Sequence, residues 1–189
     1  MTEEVIEEAV TRIAQEIVHA LEPGEPIVLL GILSRGRPLA DRLAAQMLED
    51  TGAAPRVGSL ATTLYRDDLR AGIGVAKMGG GETHFDFDVD GATAVLVDDV
   101  IAKGRTVRAA MDEVMDYGRP ARIQLACLVD RGRRELPIQP DYLGCSVAAG
   151  PGDHVSVRLN EIDGEDIVLL RQTERDLEDG AEGGASDAR

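Results

Sequence analysis

Asp98 and Asp99 stand side by side behind an apolar run, and Ala102-Lys103-Gly104-Arg105-Thr106 follows almost at once. Two adjacent carboxylates can accept hydrogen bonds from the hydroxyls of a sugar. A short loop with one glycine, leading into a helix, turns backbone N–H groups toward one point and makes a cradle for a phosphate. The Lys103 ammonium and the Thr106 hydroxyl add a charge and a donor to that cradle. Two plainer readings stand beside this one. An acidic pair can hold magnesium in a receiver domain, although such pairs usually stand near the first strand and this one is central. It can also simply complement a helix dipole as an acidic cap. The chain has no Walker motif and no GxGxxG after a strand, which disfavours ordinary nucleoside triphosphate and dinucleotide sites. Two further polar clusters follow apolar runs: Ser34-Arg35-Gly36-Arg37 and Tyr65-Arg66-Asp67-Asp68.

The elements that must carry these clusters are legible from hydrophobic period. Ile6, Ala9, Val10, Ile13, Ile17 and Leu21 recur at helical spacing over residues 2–21, and Pro23-Gly24 ends that helix. Ile27 to Ile32 is apolar throughout, as a strand buried on both faces of a parallel sheet must be. Pro38 suits the first turn of a second helix with an inner stripe of Leu39, Ala40, Leu43, Ala44 and Met47. A strand is predicted over 56–65, another over Thr93–Val97, and a third over Ile123–Val129, with 141–147 as a further candidate. Between Asp99 and Gly118, Thr106 opens a helix whose predicted inner face is Val107, Ala110, Met111, Val114 and Met115. Residues 69–84 hold five glycines and read as a surface flap with a weak hairpin. Val155 to Leu170 alternates around Asp163-Gly164 as an antiparallel hairpin does. Strand, loop and helix repeat in turn, so the expected class is α/β, a doubly wound and mostly parallel sheet with right-handed crossovers. Residues 1–173 make one domain in this reading, and 174–189 an acidic, disordered tail.

The chain of 189 residues carries 35 acidic against 20 basic side chains, for a net charge of −15. Eight of those charges are terminal: four come from Glu3, Glu4, Glu7 and Glu8, and four from the segment after Gln172. Broad affinity for nucleic acid or an anionic membrane rests on clustered Lys and Arg, which this balance argues against. Cys127 and Cys145 form no CxxC and have no neighbouring His, so neither a disulfide framework nor a zinc site is indicated. The N-terminus lacks the basic and apolar regions of a signal peptide, and no apolar stretch reaches membrane-spanning length. A soluble, cytoplasmic protein is expected. His19, His84 and His154 have no partners at useful spacing and are assigned to the surface.

Asp98-Asp99 with Gly104-Arg105-Thr106 resembles the phosphoribosyl-pyrophosphate (PRPP) signature of type I phosphoribosyltransferases. Thr62-Thr63-Leu64-Tyr65-Arg66-Asp67-Asp68-Leu69 and Gly118-Arg119-Pro120 through Asp130-Arg131-Gly132-Arg133-Arg134-Glu135-Leu136-Pro137-Ile138 are more specific. Together the segments resemble the pyrimidine-operon attenuator family with uracil phosphoribosyltransferase activity (PyrR), over about residues 5 to 170. The resemblance implies transfer of a 5-phosphoribosyl group from PRPP to uracil, giving UMP and pyrophosphate. It places Asp98 and Asp99 on the ribose hydroxyls, residues 102–106 around the 5′-phosphate, and Ser34, Arg35 and Gly36 at the pyrophosphate, with 69–84 as the closing flap. Arg66, Asp67, Asp68, Asp130 and Arg131 join the substrate-binding set. Asp98, Asp99 and Arg35 become the candidate catalytic residues. Mg²⁺ is the implied cofactor, carried mainly by PRPP oxygens and water and near Asp98 and Asp99. A pyr leader RNA is an implied partner, and a homodimer or higher oligomer the implied assembly.

The sequence departs from that pattern in identifiable places. Lys103 stands where the loop usually has Thr, and Ser34 where the pyrophosphate loop usually has Thr. Arg133 replaces a usual His, and Cys145 to Gly150 replaces a Lys-Asn-x-Pro-Thr-Ser run. Gln139 and Gln15 replace a usual Arg and His. Thr11, Arg122, Arg131, Arg133 and Arg134 remain to form a basic patch for RNA, or Arg131, Arg133 and Arg134 pair with Asp130 and Glu135 at the surface. Three functional readings follow: the transferase; a PRPP- or nucleotide-sensing regulator weakened in catalysis by Lys103; and a transferase for another base.

Overall fold

Continuous apolar runs must be covered on both faces, and the computed structural model, which describes residues 1–62 and 82–172, shows how. Five strands, β1 (Ile27–Ile32), β2 (Arg56–Leu60), β3 (Thr93–Ile101), β4 (Arg122–Asp130) and β5 (Tyr142–Ser146), form one sheet in the order β2-β1-β3-β4-β5. Every neighbouring pair is parallel. Successive residues point to opposite faces, and the two faces are separate cores. Leu29, Val95 and Val97 pack with helices α1 (Glu3–Ala20) and α2 (Gly36–Thr51). Val28, Leu30, Ala94 and Leu96 pack with α3 (Arg105–Tyr117) and the segment around Phe85 and Val89. The chain moves outward from β1 in both directions, so the strand order reverses between β1 and β3. The C-terminal ends of those two strands flank the crevice where open sheets of this kind bind ligands.

The C-terminal hairpin is present as β6 (His154–Arg158) and β7 (Ile167–Arg171), antiparallel and packed through Val155, Val157 and Val168 onto the α1–α2 core. Its connection is not a tight Asp-Gly turn. Asn160–Asp163 forms one helical turn, α4, and Gly164 closes it in the left-handed conformation at φ 75°.

Two other expectations need correction. β3 does not stop at Val97 but continues to Ile101, because β4 runs alongside it with Asp98 opposite Cys127 and Ile101 opposite Asp130. The acidic pair therefore sits within a strand, its backbone fixed by a ladder. On α3, Met115 is 54% exposed rather than inward. The buried stripe runs instead through Val107, Ala110, Glu113 and Val114, and the Glu113 carboxylate is satisfied by the Thr83 hydroxyl at 2.6 Å. The predicted strand over 56–65 is seen only as β2. Tyr65, Arg66, Asp67 and Asp68, most of the Gly-rich segment and the acidic tail lie outside the described residues. Among the described residues no helix is long and apolar enough to cross a membrane.

Candidate active site

Beyond Val97 the strand delivers Asp98, which is buried, and Asp99, which is partly so. The Asp99 N–H donates to Asp98 Oδ1 at 3.0 Å, so the first carboxylate is oriented by the backbone of the second. Burial pushes the Asp99 carboxyl above the ordinary range, while hydrogen bonding to Asp98 and the positive charge of Arg35 pull the other way. After Ile101 the chain turns through Ala102-Lys103-Gly104 into α3, with Gly104 left-handed at φ 90°. An open cleft of about 600 Å³ lies over this turn and is lined by Asp98, Ala102, Lys103, Gly104, Thr106 and Glu135, among others. Asp98, the loop and the helix start thus share one concave surface, while Asp99, the next residue of the strand, does not line it and acts instead on the Arg35 charge.

The loop rests on the segment that follows β4. Asp130 Oδ1 accepts the Gly132 N–H at 2.7 Å, and both Asp130 oxygens grip Arg134 at 2.9 and 2.7 Å. Arg134 also donates to the carbonyls of Ala102 at 2.8 Å and Ile138 at 2.7 Å, with only 12% of its side chain exposed. Burial alone would raise the Asp130 pKa, but the Arg134 and Gly132 hydrogen bonds outweigh it and hold the carboxyl below its usual range. Arg134 is therefore an internal strut under the 102–106 loop, not a surface ion pair. The Lys103 carbonyl accepts the N–H groups of Glu135 and Leu136 at 3.0 and 3.1 Å, which ties the loop to the same segment. Above it, Glu135 bridges the two loop cations, reaching Lys103 Nζ at 2.6 Å and Arg105 Nε at 2.7 Å. Arg131 is the exception among these groups: its Nε is buried and has no hydrogen-bond partner among the described residues.

On the other side of the crevice, Ser34-Arg35-Gly36 joins β1 to α2, and the Leu33–Ser34 peptide is cis. Glycine is required there for space. A Cβ on Gly36 would stand 2.1 Å from the Val97 carbonyl oxygen, and one on Gly31 would stand 2.4 to 2.5 Å from the backbone of Gly36 and Arg37. The loop is thereby pressed against β3 immediately before the acid pair. Arg35 donates through Nε and Nη2 to Asp163 at 3.1 and 2.8 Å. Asp163 and Asp99 both favour its charged form.

Residues 2–161 match the family model described as phosphoribosyl transferase domain. The "Bifunctional protein PyrR" of Pelotomaculum thermopropionicum is 50% identical over 170 residues, covering 89% of this chain and 92% of that protein. The protein of the same name from Clostridioides difficile is 47% identical over 172 residues, 91% of this chain and 96% of its own. The chain belongs to the PyrR family of phosphoribosyltransferases. Solved structures agree on the fold: the hypoxanthine phosphoribosyltransferase of Trypanosoma cruzi superposes with a TM-score of 0.65 at 19% identity, over 92% of this chain and 95% of that one. As a member of this family the chain is a phosphoribosyltransferase.

Set against other PyrR features expected of the sequence, the structure is selective. The basic residues left for RNA do not form one patch. Arg134 is internal, and Arg122 is committed to Glu25 at 2.6 and 2.8 Å and to Thr93. Arg122 also opens nine-residue β4, about 26 Å at the usual strand rise from Asp130 at its other end, and Arg131 and Arg133 follow Asp130. The Thr11 hydroxyl donates to Gln46. Cys127 is a core thiol, as expected, pushed up in pKa chiefly by burial. Sequence reading offered Glu135 as a partner of the nearby arginines but missed it as the counter-ion of Lys103 and Arg105, and it missed Asp163 as the partner of Arg35. Glu135 was within reach, because it follows Arg134 in the same motif. Nothing local could have shown Asp163, which lies 128 positions from Arg35.

Proposed function

We propose that this enzyme transfers the 5-phosphoribosyl group of PRPP to N1 of uracil, giving UMP and pyrophosphate. The observation that carries the reading is Asp98 on one open cleft with the whole 102–106 loop, with Asp99 next to it in β3 and electrostatically coupled to Arg35. Asp98 and Asp99 would accept hydrogen bonds from the ribose hydroxyls. Amides of 102–106 and the Thr106 hydroxyl would surround the 5′-phosphate. Arg35, at the neighbouring strand end, would meet the pyrophosphate. The C1–oxygen bond breaks with its electron pair passing to pyrophosphate, the N1–C1 bond forms, and the N1 proton is lost to solvent. Positive charge builds on the sugar meanwhile, and the adjacent carboxylates offset it. The buried Nε of Arg131, without a partner among the described residues, supports a polar group of substrate in that neighbourhood.

Among the described residues there is no cluster of three metal-ligating side chains. That suits Mg²⁺, which keeps most of its octahedral shell from substrate oxygens and water and needs only one or two carboxylates, here Asp98 or Asp99. When bound, the ion would lower the charge on the leaving group. The setting is taken to be cytoplasmic and the assembly a homodimer or larger, which sedimentation velocity would read.

Incubation with PRPP, Mg²⁺ and uracil should release UMP and pyrophosphate in equal amounts. Asp98→Asn and Asp99→Asn should each lower kcat by about 10²-fold, the scale at which electrostatic groups act. Turnover with a purine base and none with uracil would overturn the base assignment. The name of the relatives, bifunctional, supports a second role, and leader RNA is the partner proposed for it. Because the Arg residues are dispersed, that binding should be weak and strongly dependent on salt. Affinity no greater than for scrambled RNA would remove it.

A further inference from the structure

The β6–β7 connection reaches across to the opposite end of the crevice and holds one of its arginines. Asp163 Oδ2 and Oδ1 take Arg35 Nε and Nη2 in a two-point fork. The carboxylate is itself fixed, since Oδ2 also accepts the Leu159 N–H at 3.0 Å and Gly164 closes the turn behind it. The turn is in turn secured to α2. Arg42 donates to both oxygens of Glu161 at 2.7 Å and to Asp166 at 2.8 Å, while Asp166 accepts the Asn160 N–H. So Arg35, at the N-terminal edge of α2, and Arg42, about two turns on, are both anchored to α4 and its flanks.

We infer that Asp163 is a positioning residue for the pyrophosphate group: it holds the side of the Arg35 guanidinium so that the remaining edge is presented to the anion. This rests on the reading of residues 34–36 as the pyrophosphate loop. Guanidinium has five donors in a rigid plane, and the fork uses Nε and one hydrogen of Nη2. Nη1 and the other Nη2 hydrogen have no partner among the described residues, and they form the end of the fork, where a second anion can be met. An arginine on an open loop must give up rotamer freedom when it binds; one already held has given it up beforehand. A nearby carboxylate also subtracts from the attraction for an anion. Asp163 is an exposed residue and Arg35 a half-buried one, so solvent weakens that repulsion only in part, whereas the geometric constraint acts in full.

The test is binding of inorganic pyrophosphate to the full chain by calorimetry, with steady-state kinetics beside it. Asp163→Asn should weaken pyrophosphate and raise the KM for PRPP by about 5- to 10-fold, leaving kcat and the KM for the base within about 2-fold. Asp163→Glu should recover part of the loss. Arg35→Ala should weaken pyrophosphate at least as much, and adding Asp163→Asn to it should change nothing further, because Asp163 acts through Arg35. Tighter pyrophosphate binding by Asp163→Asn would show a competitor rather than a positioner and overturn the proposal. Additive losses in the double variant would overturn it too. Weakening by Arg35→Ala with an inert Asp163→Asn would remove the proposal alone. Normal pyrophosphate binding by Arg35→Ala would remove the pyrophosphate loop, and the proposal with it.

Discussion

The two loops of the crevice that we propose to face anions are built by opposite means. The 102–106 loop is contiguous with the acid pair and is supported by a buried arginine, with its surface cations bridged by an exposed glutamate. The 34–36 loop has no such strut. It is pressed backbone to backbone onto β3, and its arginine is held from a segment far along the chain. One loop depends on a buried ion pair, the other on the absence of side chains. Glycine marks this difference. Gly104 is needed for its φ of 90°, and a Cβ there would meet Leu136 and Ile138 at an ordinary 3.5 Å. Gly36 is needed because a Cβ would overlap the Val97 carbonyl at 2.1 Å, and neither backbone can move without moving β3.

The largest effect should therefore come from Gly36→Ala. Overpacking of this kind costs about 3 kcal/mol, and since the displaced group is the carbonyl before Asp98, turnover should fall below detection as well. Gly104→Ala should cost only about 1–2 kcal/mol, the strain of a left-handed alanine, and should leave a folded enzyme with raised KM for PRPP. Urea unfolding of both variants checks the order. Equal losses would erase the distinction between space and conformation.

Next comes the strut. Arg134→Met leaves Asp130 buried without its partner, and breaking such a pair costs about 3 kcal/mol near neutral pH. The sign of its pH dependence follows from the depressed Asp130 pKa. The wild-type contribution is complete above the unfolded value, about 3.9, and is lost as pH falls through the lower folded value. The stability gap between wild type and variant should thus be wide at pH 7 and pH 5 and narrow below about pH 4. A gap constant with pH would mean that Arg134 acts through packing alone. The same change should raise the KM for PRPP, because the Ala102 carbonyl loses its donor.

How much of this was legible follows from the same contrast. Asp98 to Thr106 could be read because strand, acids, loop and helix are consecutive, and local order carries their chemistry. The parallel sheet was legible from its unbroken apolar runs, as was the C-terminal hairpin from its alternation. The length of β3 was not, because it depends on how far β4 keeps pairing with it. Arg134 reads as a surface charge until the fold places the Ala102 carbonyl beside it. Met115 fits the apolar period of α3, yet Glu113 takes the inner place because Thr83 arrives from another part of the chain to satisfy it. Gly36 was recognisable as a loop glycine, but its reason, Val97, belongs to a neighbouring strand. What was missed is consistently a contact between segments distant in sequence.

The smallest effects belong to the exposed ions of the 102–106 loop, and they decide what Lys103 does. Lys103 and Arg105 are 60% and 50% exposed, and both lean on Glu135. Glu135→Gln removes the shared counter-ion, so PRPP should bind more tightly, by about 2- to 3-fold at 0.05 M salt. The gain should vanish near 1 M, where the screening length is about 3 Å. Lys103→Thr removes one of the two cations and should shift the KM the opposite way by a similar factor, with kcat unchanged, because backbone amides still form the cradle. Steady-state kinetics at the two salt concentrations separates these outcomes. A Lys103→Thr enzyme with turnover raised more than about 10-fold would instead show that the lysine holds catalysis back. The loop would then be tuned for sensing PRPP rather than for consuming it, and the contrast between the two ends of the crevice would be one of function as well as of construction.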